Sequence, residues 1–464
     1  MEAEVEVDES PGRARRAVRS MVSRPALTSF LVAFVVRFVA AAAINLLHNG
    51  VLIPDEGQYL ILALFASEGE LTPGFWSGYG QALFDSTRAF MWPLTALFWL
   101  FGPSRFIAQL VPVLFGAVTA AATTVVARRF LRPEYALIAG LIVALFPSQV
   151  LWSSVVLRES LIWAGLAGIA VAAGYSQRQL SGVRIVWSAV TAGVLFVAIV
   201  WLRDHTAFLA LWCLFPALLI GPNRRLVRAV SAVGVLVLAP WLVGMGPAGV
   251  TFAEDALTRL GSTRCYLSMT ADSSFGDCQD EMMLSDCSIR VEEETGEWHD
   301  ISRAAGRLLE RQSGDWVCIP GYSGGAWLID NTLGTSLGVL PRGLFNTMIR
   351  PLPWEVQSSN SDQFFAGLES VLWVTLYTLS GLYLWRLRGR IWQLAFPVML
   401  VAAISLSGAL THGNLGTAFR HRGQVLFALA MLASGGLQSL TAGCEGRPDS
   451  CEALKSVGES AEEN

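Results

Sequence analysis

Long apolar stretches alternate with short charged blocks along this sequence of 464 residues. Most of these stretches approach the roughly 20 residues that an α-helix needs to cross the hydrocarbon core of a bilayer. The pattern predicts an all-α polytopic membrane protein with about ten transmembrane helices, within a range of roughly nine to twelve. The predicted spans lie at about 27–47, 106–127, 134–152, 160–176, 184–202, 206–221, 229–246, 368–385, 391–411 and 423–440.

The first apolar stretch has two interpretations. A cleaved signal peptide is the alternative to a retained span, but its apolar part is typically only about 7–15 residues long. Here the stretch runs from about Leu27 to Leu47, and Arg37 lies in its middle. Both features favour a retained first span, preceded by a basic cytosolic tail at 1–26.

Residues 89–102 are apolar enough to cross the membrane, but the segment is short and contains Trp92-Pro93. If it crossed, every later loop would change sides, which contradicts the distribution of basic blocks. We therefore interpret it as a re-entrant or interfacial segment within a first external loop at 48–105.

Composition agrees with this class of protein. Hydrophobic residues make up 53% of the chain and charged residues 15%, whereas a soluble domain carries about 25% charged residues. The net charge of −4 says little about partners, because its sign changes from segment to segment. We expect membrane lipid as a partner and no nucleic acid.

Basic blocks predict the topology, because Lys and Arg are enriched in cytosolic loops. These blocks predict a multi-pass protein of the plasma membrane with both termini in the cytosol. The chain divides into a transmembrane catalytic module at 27–246, an extracytoplasmic loop at 247–366, C-terminal spans at 367–440 and a disordered cytosolic tail at 441–464. The cytosolic blocks are the N-terminal arginines; Arg128, Arg129 and Arg132; Arg178 and Arg184; Arg224, Arg225 and Arg228; and Arg386, Arg388 and Arg390.

The long polar loop contains four of the seven cysteines, namely Cys265, Cys278, Cys287 and Cys318. An even set in an extracytoplasmic loop predicts two disulfides, for which three connectivities are possible. Four free thiols are the alternative. A zinc site is disfavoured because no two of these cysteines have Cys-x-x-Cys spacing.

Acidic residues at the outer ends of predicted spans are the candidate catalytic groups. Asp55 and Glu56 follow the first span, and Glu159 lies in the turn before another. A carboxylate there can act as a general base. Asp55 and Glu159 are also candidate oxygen ligands for a divalent cation, Mg²⁺ or Mn²⁺. The alternatives are solvated loop acids and, for Arg158-Glu159, a charged pair that anchors helix ends.

Arginine and histidine side chains in the same external turns are candidate ligands for a phosphate-bearing substrate. A guanidinium can bond two phosphate oxygens at once, and ionisable groups near the bilayer are costly and often functional. An interfacial histidine without a role, and a cytosolic location for the turn at 412–422, are the alternatives. The candidate substrate-binding residues are Arg88, Arg158, Arg203, His205, His412, Arg420 and Arg422.

The order of these motifs resembles the GT-C superfamily of membrane glycosyltransferases, in particular bacterial members related to the protein mannosyltransferase and aminoarabinose transferase group. The resemblance covers about 30–205 well and 390–440 loosely. The motifs that carry it are Asp55-Glu56 with a nearby tyrosine, Phe-Gly-Pro-Ser-Arg before a long span, an Arg-Arg-Phe-Leu-Arg-Pro turn, the stretch Phe-Pro-Ser-Gln-Val-Leu-Trp-Ser-Ser-Val-Val-Leu-Arg-Glu, and Arg-x-Arg before the last span.

The resemblance implies a polyprenyl-phosphate sugar donor and transfer, usually with inversion, to an extracytoplasmic glycan, lipid or protein. Asp55 takes the position of an essential acid, with Glu56 beside it. Glu159 takes that of a second external acid, and Arg88 that of a positive residue near the end of the first loop. In such a reaction an acid deprotonates the acceptor hydroxyl, and a metal or arginines stabilise the departing phosphate.

Three other classes fit parts of the pattern. A transporter or flippase for lipid-linked sugars would be expected to show an inverted repeat with matched broken helices, which we do not find in the sequence. A polysaccharide polymerase or ligase would use external arginines and a large late external loop, which 247–366 partly matches. A non-catalytic scaffold would use the cysteine-containing loop to bind a partner.

Overall fold

A computed structural model gives the fold. It describes residues 20–445 apart from position 49 and the segments 70–78, 177–180, 222–223, 259–282, 285–289, 293–297, 301–308, 311–315, 321–325, 331–336, 339, 356–360, 389–390 and 412–414. Three of the cysteines predicted to form disulfides, Cys265, Cys278 and Cys287, lie outside the described residues, as does His412. The fourth, Cys318, lies in a strand that is described by its backbone, so the disulfide prediction stays a prediction.

Helices account for the N-terminal half of the described chain, and prolines begin several of them. Proline has no backbone N–H and a fixed φ that suits the first helical turn. Pro25, Pro54, Pro133 and Pro147 all occupy such positions. The helices are α1 Pro25–Leu47, α2 Pro54–Glu68, α3 Tyr79–Ser86, α4 Arg88–Phe101, α5 Arg105–Ala127, α6 Pro133–Leu145, α7 Pro147–Trp152, α8 Glu159–Ser176, α9 Gly182–Val200, α10 Asp204–Leu219, α11 Arg225–Leu242 and α12 Val250–Thr258.

The C-terminal part continues with α13 Leu340–Met348, α14 Ser361–Arg386, α15 Ala395–Thr411, α16 Leu415–Arg422 and α17 Leu426–Glu445. A 3₁₀ turn at Gly423–Val425 joins α16 to α17, so the two helices run on almost without a break. Helix α13 approaches α15 very closely at Gly343, where a Cβ atom would lie 2.1 Å from the carbonyl oxygen of Ala409. The end of the long polar segment is thereby fixed against the transmembrane bundle.

Short strands lie within the long polar segment, where the sequence predicted only a loop. Strands β1 Met283–Leu284, β4 Leu309–Glu310, β5 Trp316–Pro320 and β6 Ala326–Asp330 form an antiparallel sheet in the order β1-β6-β5-β4. In the central pair Cys318 lies opposite Leu328. Strands β2 Arg290–Glu292 and β3 Trp298–Asp300 form a separate antiparallel pair.

The structure confirms a helical membrane protein. Among the described residues, six helical segments are long and apolar enough to cross a membrane by length and composition. They are Pro25–Leu47, Arg105–Ala127, Gly182–Val200, Arg225–Leu242, Ile391–Thr411 and Ala418–Thr441. Shorter apolar helices at Pro133–Leu145, Glu159–Tyr175 and Asp204–Leu219 coincide with further predicted spans, and the count of ten remains a prediction.

The bundle is built around its last helix. Of an 18-residue apolar window within Ala418–Thr441, 78% is buried inside the protein, against 17% of the corresponding window in the first span. Helix α17 packs against α14 and α6, while α5 packs against α1, α6 and α8. One consequence is that the ends of α16 and α17 lie beside the ends of α8 and α10, although they are far away in sequence.

Arg37 is fully buried in the middle of α1 and is bound by backbone rather than by an acid. Its guanidinium donates to the carbonyl oxygens of Ala144 at 2.7 Å and Val143 at 2.9 Å, and to Ser153 Oγ at 2.7 Å. The helix itself cannot use these carbonyls. The partner of Val143 would be the N–H that Pro147 lacks.

The carbonyl oxygen of Ala144 lacks its helical partner for a different reason. The N–H of Ser148, which would continue the helix to Ala144, instead donates to Glu369 Oε2 at 2.8 Å. The break between α6 and α7 therefore leaves two acceptors in an apolar region, where each unsatisfied group is expensive. Arg37 satisfies both of them and fixes the chain that leads to Arg158-Glu159.

We expect Arg37→Ala to lower the free energy of unfolding by about 3 kcal/mol, because it leaves both carbonyls and Ser153 without a buried donor. Thermal unfolding of the purified protein in detergent, followed by intrinsic fluorescence, measures this. Arg225→Ala, which removes an exposed arginine of α11, is the control and should change stability by less than about 0.5 kcal/mol. Equal unfolding temperatures for Arg37→Ala and the control variant would contradict the role of Arg37 as the donor to these carbonyls.

Candidate functional site

Several helix ends meet on one side of the bundle and bring most of the predicted site residues together. Helix α2 begins at Pro54-Asp55, α8 begins at Glu159 and α10 begins at Asp204. Helix α16 ends at Arg420-His421-Arg422. Because consecutive helices of the bundle run in opposite directions, these turns share a face although they span 365 positions of sequence.

Asp55, Arg420, Glu159 and Arg203 form a chain of alternating charges. Arg420 Nη1 lies 2.6 Å from Asp55 Oδ2 and 3.6 Å from Glu159 Oε1. Arg203 Nη2 lies 3.2 Å from the same Glu159 oxygen. Asp55 is the accessible member, with 44% of its side chain exposed, whereas the side chain of Glu159 is 2% exposed. The accessible carboxylate is thus backed by a buried, charge-compensated network.

Glu159 stays ionised in this network. Burial acts to raise the pKa of its carboxyl group, but Arg420, Arg203 and Arg158 outweigh burial and hold that pKa below its usual value. Three buried polar atoms nevertheless have no hydrogen-bond partner among the described residues: Glu159 Oε2, Arg203 Nη1 and Arg420 Nε. Unpaired buried donors are uncommon in folded proteins, and here two of the three are guanidinium N–H groups.

A cavity of about 730 Å³ adjoins this network. Four predicted substrate-binding residues line it, namely Arg88, Arg158, Arg203 and His205. Arg88 lies over the ring of Trp201, with its guanidinium carbon 5.3 Å from the ring centre. Three guanidinium groups around one cavity favour a negatively charged ligand, since an arginine fork matches phosphate oxygens.

Acidic and neutral groups complete the cavity wall. Asp85 and Asp204 also line it, and Asp204 Oδ1 accepts a 2.7 Å hydrogen bond from the backbone N–H of His205. Half of the His205 side chain is exposed. Burial of the imidazole in the cavity wall, and then the nearby charge of Arg203, lower its pKa, whereas Asp204 acts to raise it. His205 is therefore neutral near pH 7, and the arginines supply the positive charge.

Glu56 has a different environment from its neighbour Asp55. It is fully buried and accepts two hydrogen bonds of 2.9 Å from Arg105. It also accepts from the backbone N–H groups of Leu52 at 3.0 Å and Val156 at 3.3 Å. Every oxygen is thus engaged in holding the first loop against α5 and the 153–158 turn. This geometry favours a structural role for Glu56 rather than the predicted catalytic role.

Arg422 also lies apart from the cavity. Its side chain is buried, and its Nε donates to the carbonyl oxygen of Thr347 at 2.8 Å, while Nη2 donates to that of Arg350. Its guanidinium packs over Trp373. These contacts hold the end of α13 against the bundle. The structure therefore separates Arg422 from Arg420, although the sequence predicted that both bind phosphate.

Two functional candidates were missed by sequence reasoning. Glu369 is 3% exposed, accepts hydrogen bonds from Ser148 Oγ at 2.7 Å and Trp373 Nε1 at 2.9 Å, and supports the α6–α7 break. A carboxylate at the start of an apolar span is itself a signal. Gln424 accepts a 3.1 Å hydrogen bond from Thr206 Oγ1, which joins α10 to the turn before α17, and no pattern in the sequence marks it.

The predicted metal site does not fit this arrangement. Asp55 and Glu159 are separated by Arg420 Nη1, which contacts both, and Arg203 adds a second positive group beside Glu159. Within the described part of the chain, no three His, Cys, Asp or Glu side chains are grouped as metal ligands. Both predicted ligands are thus paired with guanidinium groups, which compete with a divalent cation for the carboxylate oxygens.

No protein-family model, no curated protein and no solved structure matches this chain. The site is therefore interpreted from its own geometry. That geometry combines one accessible carboxylate, a buried charge network behind it and an arginine-lined cavity beside it.

Proposed function

We propose that the protein is a membrane glycosyltransferase that moves a sugar from a polyprenyl-phosphate donor to an extracytoplasmic glycan, lipid or protein. The observation that carries this proposal is that Arg420 and Glu159 link the accessible Asp55 to Arg203. Arg203 in turn lines a cavity together with Arg88 and Arg158. Group transfer from a phosphate carrier needs a base for the acceptor and positive charge for the leaving group. The cluster offers both, at the rim of a helical membrane bundle.

Asp55 is the proposed general base. Its carboxylate takes the proton of an acceptor hydroxyl, whose oxygen attacks the anomeric carbon as the bond from that carbon to the phosphate oxygen breaks. The electron pair leaves with the polyprenyl phosphate, and Arg158, Arg203 and Arg88 stabilise the charge that develops on it. Glu159 sets the position of Arg203 and Arg420 rather than touching substrate.

The proposed topology places this site outside the cell. It has about ten spans, both termini in the cytosol, residues 89–102 as a re-entrant or interfacial segment, and the 247–366 segment as an extracytoplasmic loop. The location of arginines supports it. Arg128, Arg184 and Arg224 lie at the ends of helices opposite to the Asp55 site, and arginine is enriched on the cytosolic side.

Two of the alternative classes predict different results at this site. A flippase would move a lipid-linked sugar without breaking a bond, and a polymerase or ligase would use the same carrier with a growing glycan as acceptor. The accessible carboxylate beside the arginines favours transfer over transport, because transport alone requires no base.

A panel of radiolabelled polyprenyl-phosphate sugars, incubated with the purified protein and with envelope fractions as acceptor, tests the proposal. We expect at least one donor to bind and to release polyprenyl phosphate as label appears in an acceptor. Movement of an intact donor across proteoliposome membranes without release would establish the flippase instead. If no member of the panel binds, while the protein is folded by its thermal transition, the proposal is wrong.

A further inference from the structure

The side of the bundle opposite to the Asp55 site carries two adjoining depressions between helices. The first, which we call the basic groove, has a volume of about 390 Å³ and is lined by Arg24, Leu27, Val125, Arg128, Arg129 and Tyr175 among others. The second, the apolar slot, has a volume of about 540 Å³ and lies between α8 and α9. Tyr175 lines both of them.

The opposite position of these depressions follows from helix direction. Arg24 precedes α1, whose other end leads to Asp55, and Arg128 follows α5, whose first residue, Arg105, holds Glu56. Helix α1 has 23 residues, which at 1.5 Å per residue is about 34 Å and spans the hydrocarbon core. The groove and the proposed catalytic site therefore lie at opposite membrane surfaces.

Among the described residues, two guanidinium groups of the basic groove have no acidic partner. The side chains of Arg24 and Arg128 are exposed, and neither makes an ion pair with another described residue. Arg129, by contrast, is held by contacts within the protein. It donates to the carbonyl oxygen of Val171 at 2.7 Å, and its guanidinium carbon lies 4.7 Å from the centre of the Tyr175 ring. It thus fixes the wall shared by groove and slot.

The apolar slot offers a surface for a hydrocarbon chain. Gly168 and Ala172 form its floor, and Trp187, of which 66% is exposed, forms one side. Two of its hydroxyl groups are already engaged, because Ser188 donates to the carbonyl of Ala172 and Thr191 donates to that of Trp187. Arg184 also lines the slot, and it lies near the start of α9, on the side of the bundle where α8 ends beside Tyr175.

We propose that the basic groove and the apolar slot together bind an anionic phospholipid of the cytosolic leaflet. Arg24, Arg128 and Arg184 contact its headgroup phosphate, and one acyl chain lies in the slot. Charge complementarity carries this assignment, because basic pockets between helices at the cytosolic surface match the anionic lipids of that leaflet. The proposal rests on the proposed topology, which puts this face of the bundle in the cytosol, and it does not depend on the sugar-transfer activity proposed for the opposite face.

Native mass spectrometry of the delipidated full-length protein tests the site. The protein is offered equal amounts of phosphatidylglycerol, phosphatidylcholine and a polyprenyl phosphate in detergent. We expect phosphatidylglycerol to be retained in preference to the other two. The double variant Arg24→Ala with Arg128→Ala should weaken its retention by about 30-fold, since each arginine near an anionic lipid contributes about 1 kcal/mol.

Two further variants separate headgroup from chain. Arg225→Ala with Arg388→Ala removes two arginines from the same face outside both depressions and should leave retention unchanged. Thr191→Trp fills the slot from its exposed side and should weaken retention while Arg24 and Arg128 remain. Equal retention of phosphatidylglycerol and phosphatidylcholine, preference for the polyprenyl phosphate, or an equal loss in the control pair would each overturn the proposal.

The chain's own acidic N-terminal segment is the remaining competitor for the groove, since Glu2, Glu4, Glu6, Asp8 and Glu9 precede the basic residues. Deletion of residues 2–10 distinguishes it from lipid. Retention of phosphatidylglycerol that is the same with and without the segment supports the lipid site. Retention that appears only after the deletion would assign the groove to the segment.

Discussion

Asp55→Asn is expected to lower the rate of sugar transfer by about 10²–10⁴-fold, which is the usual contribution of a positioned general base. Asparagine has nearly the same shape and can still accept a hydrogen bond from Arg420, which lies 2.6 Å from the native carboxylate. It cannot take a proton from the acceptor. Donor binding should therefore stay nearly unchanged while transfer is lost.

Donor affinity and single-turnover transfer, measured on the same preparation, separate these two effects. Glu68→Gln is the matched control, because Glu68 ends the same helix and is exposed, so it should transfer at the wild-type rate. Glu56→Gln should instead reduce thermal stability, since it weakens the contact with Arg105. Full transfer by a folded, correctly inserted Asp55→Asn protein would remove Asp55 from the mechanism.

Arg203→Ala is expected to have the largest effect on donor binding, with a loss of about 1.5–3 kcal/mol, or roughly 10–150-fold in Kd. Only 5% of the side chain is exposed, and its Nη1 has no partner among the described residues. A phosphate oxygen in the adjoining cavity would be that partner. Arg203→Lys should recover part of the affinity, because lysine keeps the charge and loses the fork.

Arg203 also supports Glu159, so its loss will lower stability as well as affinity. Arg158→Ala distinguishes the two effects, because Arg158 lines the same cavity and makes no ion pair within 4 Å among the described residues. We expect it to weaken donor binding with a smaller loss of thermal stability than Arg203→Ala causes, because Arg158 acts on Glu159 without a direct ion pair. Equal donor affinity in wild type, Arg203→Ala and Arg158→Ala would exclude this cavity as the phosphate site.

The class of protein and most helix positions could be predicted from sequence, since uninterrupted apolar runs leave the backbone few options in lipid. The helix break at Phe146-Pro147 was harder to predict from the sequence. A single span was predicted at 134–152, but Pro147 removes a donor and divides it into α6 and α7. The break is stable only because Arg37 and Glu369, from two distant helices, supply the missing partners.

The site was predicted as a set of turns rather than as an arrangement of atoms. Neighbouring residues of a helix project about 100° apart. Asp55 and Glu56 therefore point in different directions, one toward Arg420 and one into a buried contact with Arg105. The same geometry separates Arg420 from Arg422. Which member of each pair faces the site depends on helix rotation, and that is set by packing against chain segments up to 365 positions away.

The buried arginine of the first span has a consequence for synthesis of the protein. Its acceptors at Val143, Ala144 and Ser153 lie 106, 107 and 116 residues further along the chain. At about 5–20 residues per second, the ribosome needs on the order of 5–20 s to produce them. During that interval α1 carries an unpaired charge whose insertion alone costs about 2.5–3.5 kcal/mol at a helix centre. The first span is therefore stably inserted in the bilayer only after residues 143–153, which carry these acceptors, have been synthesised.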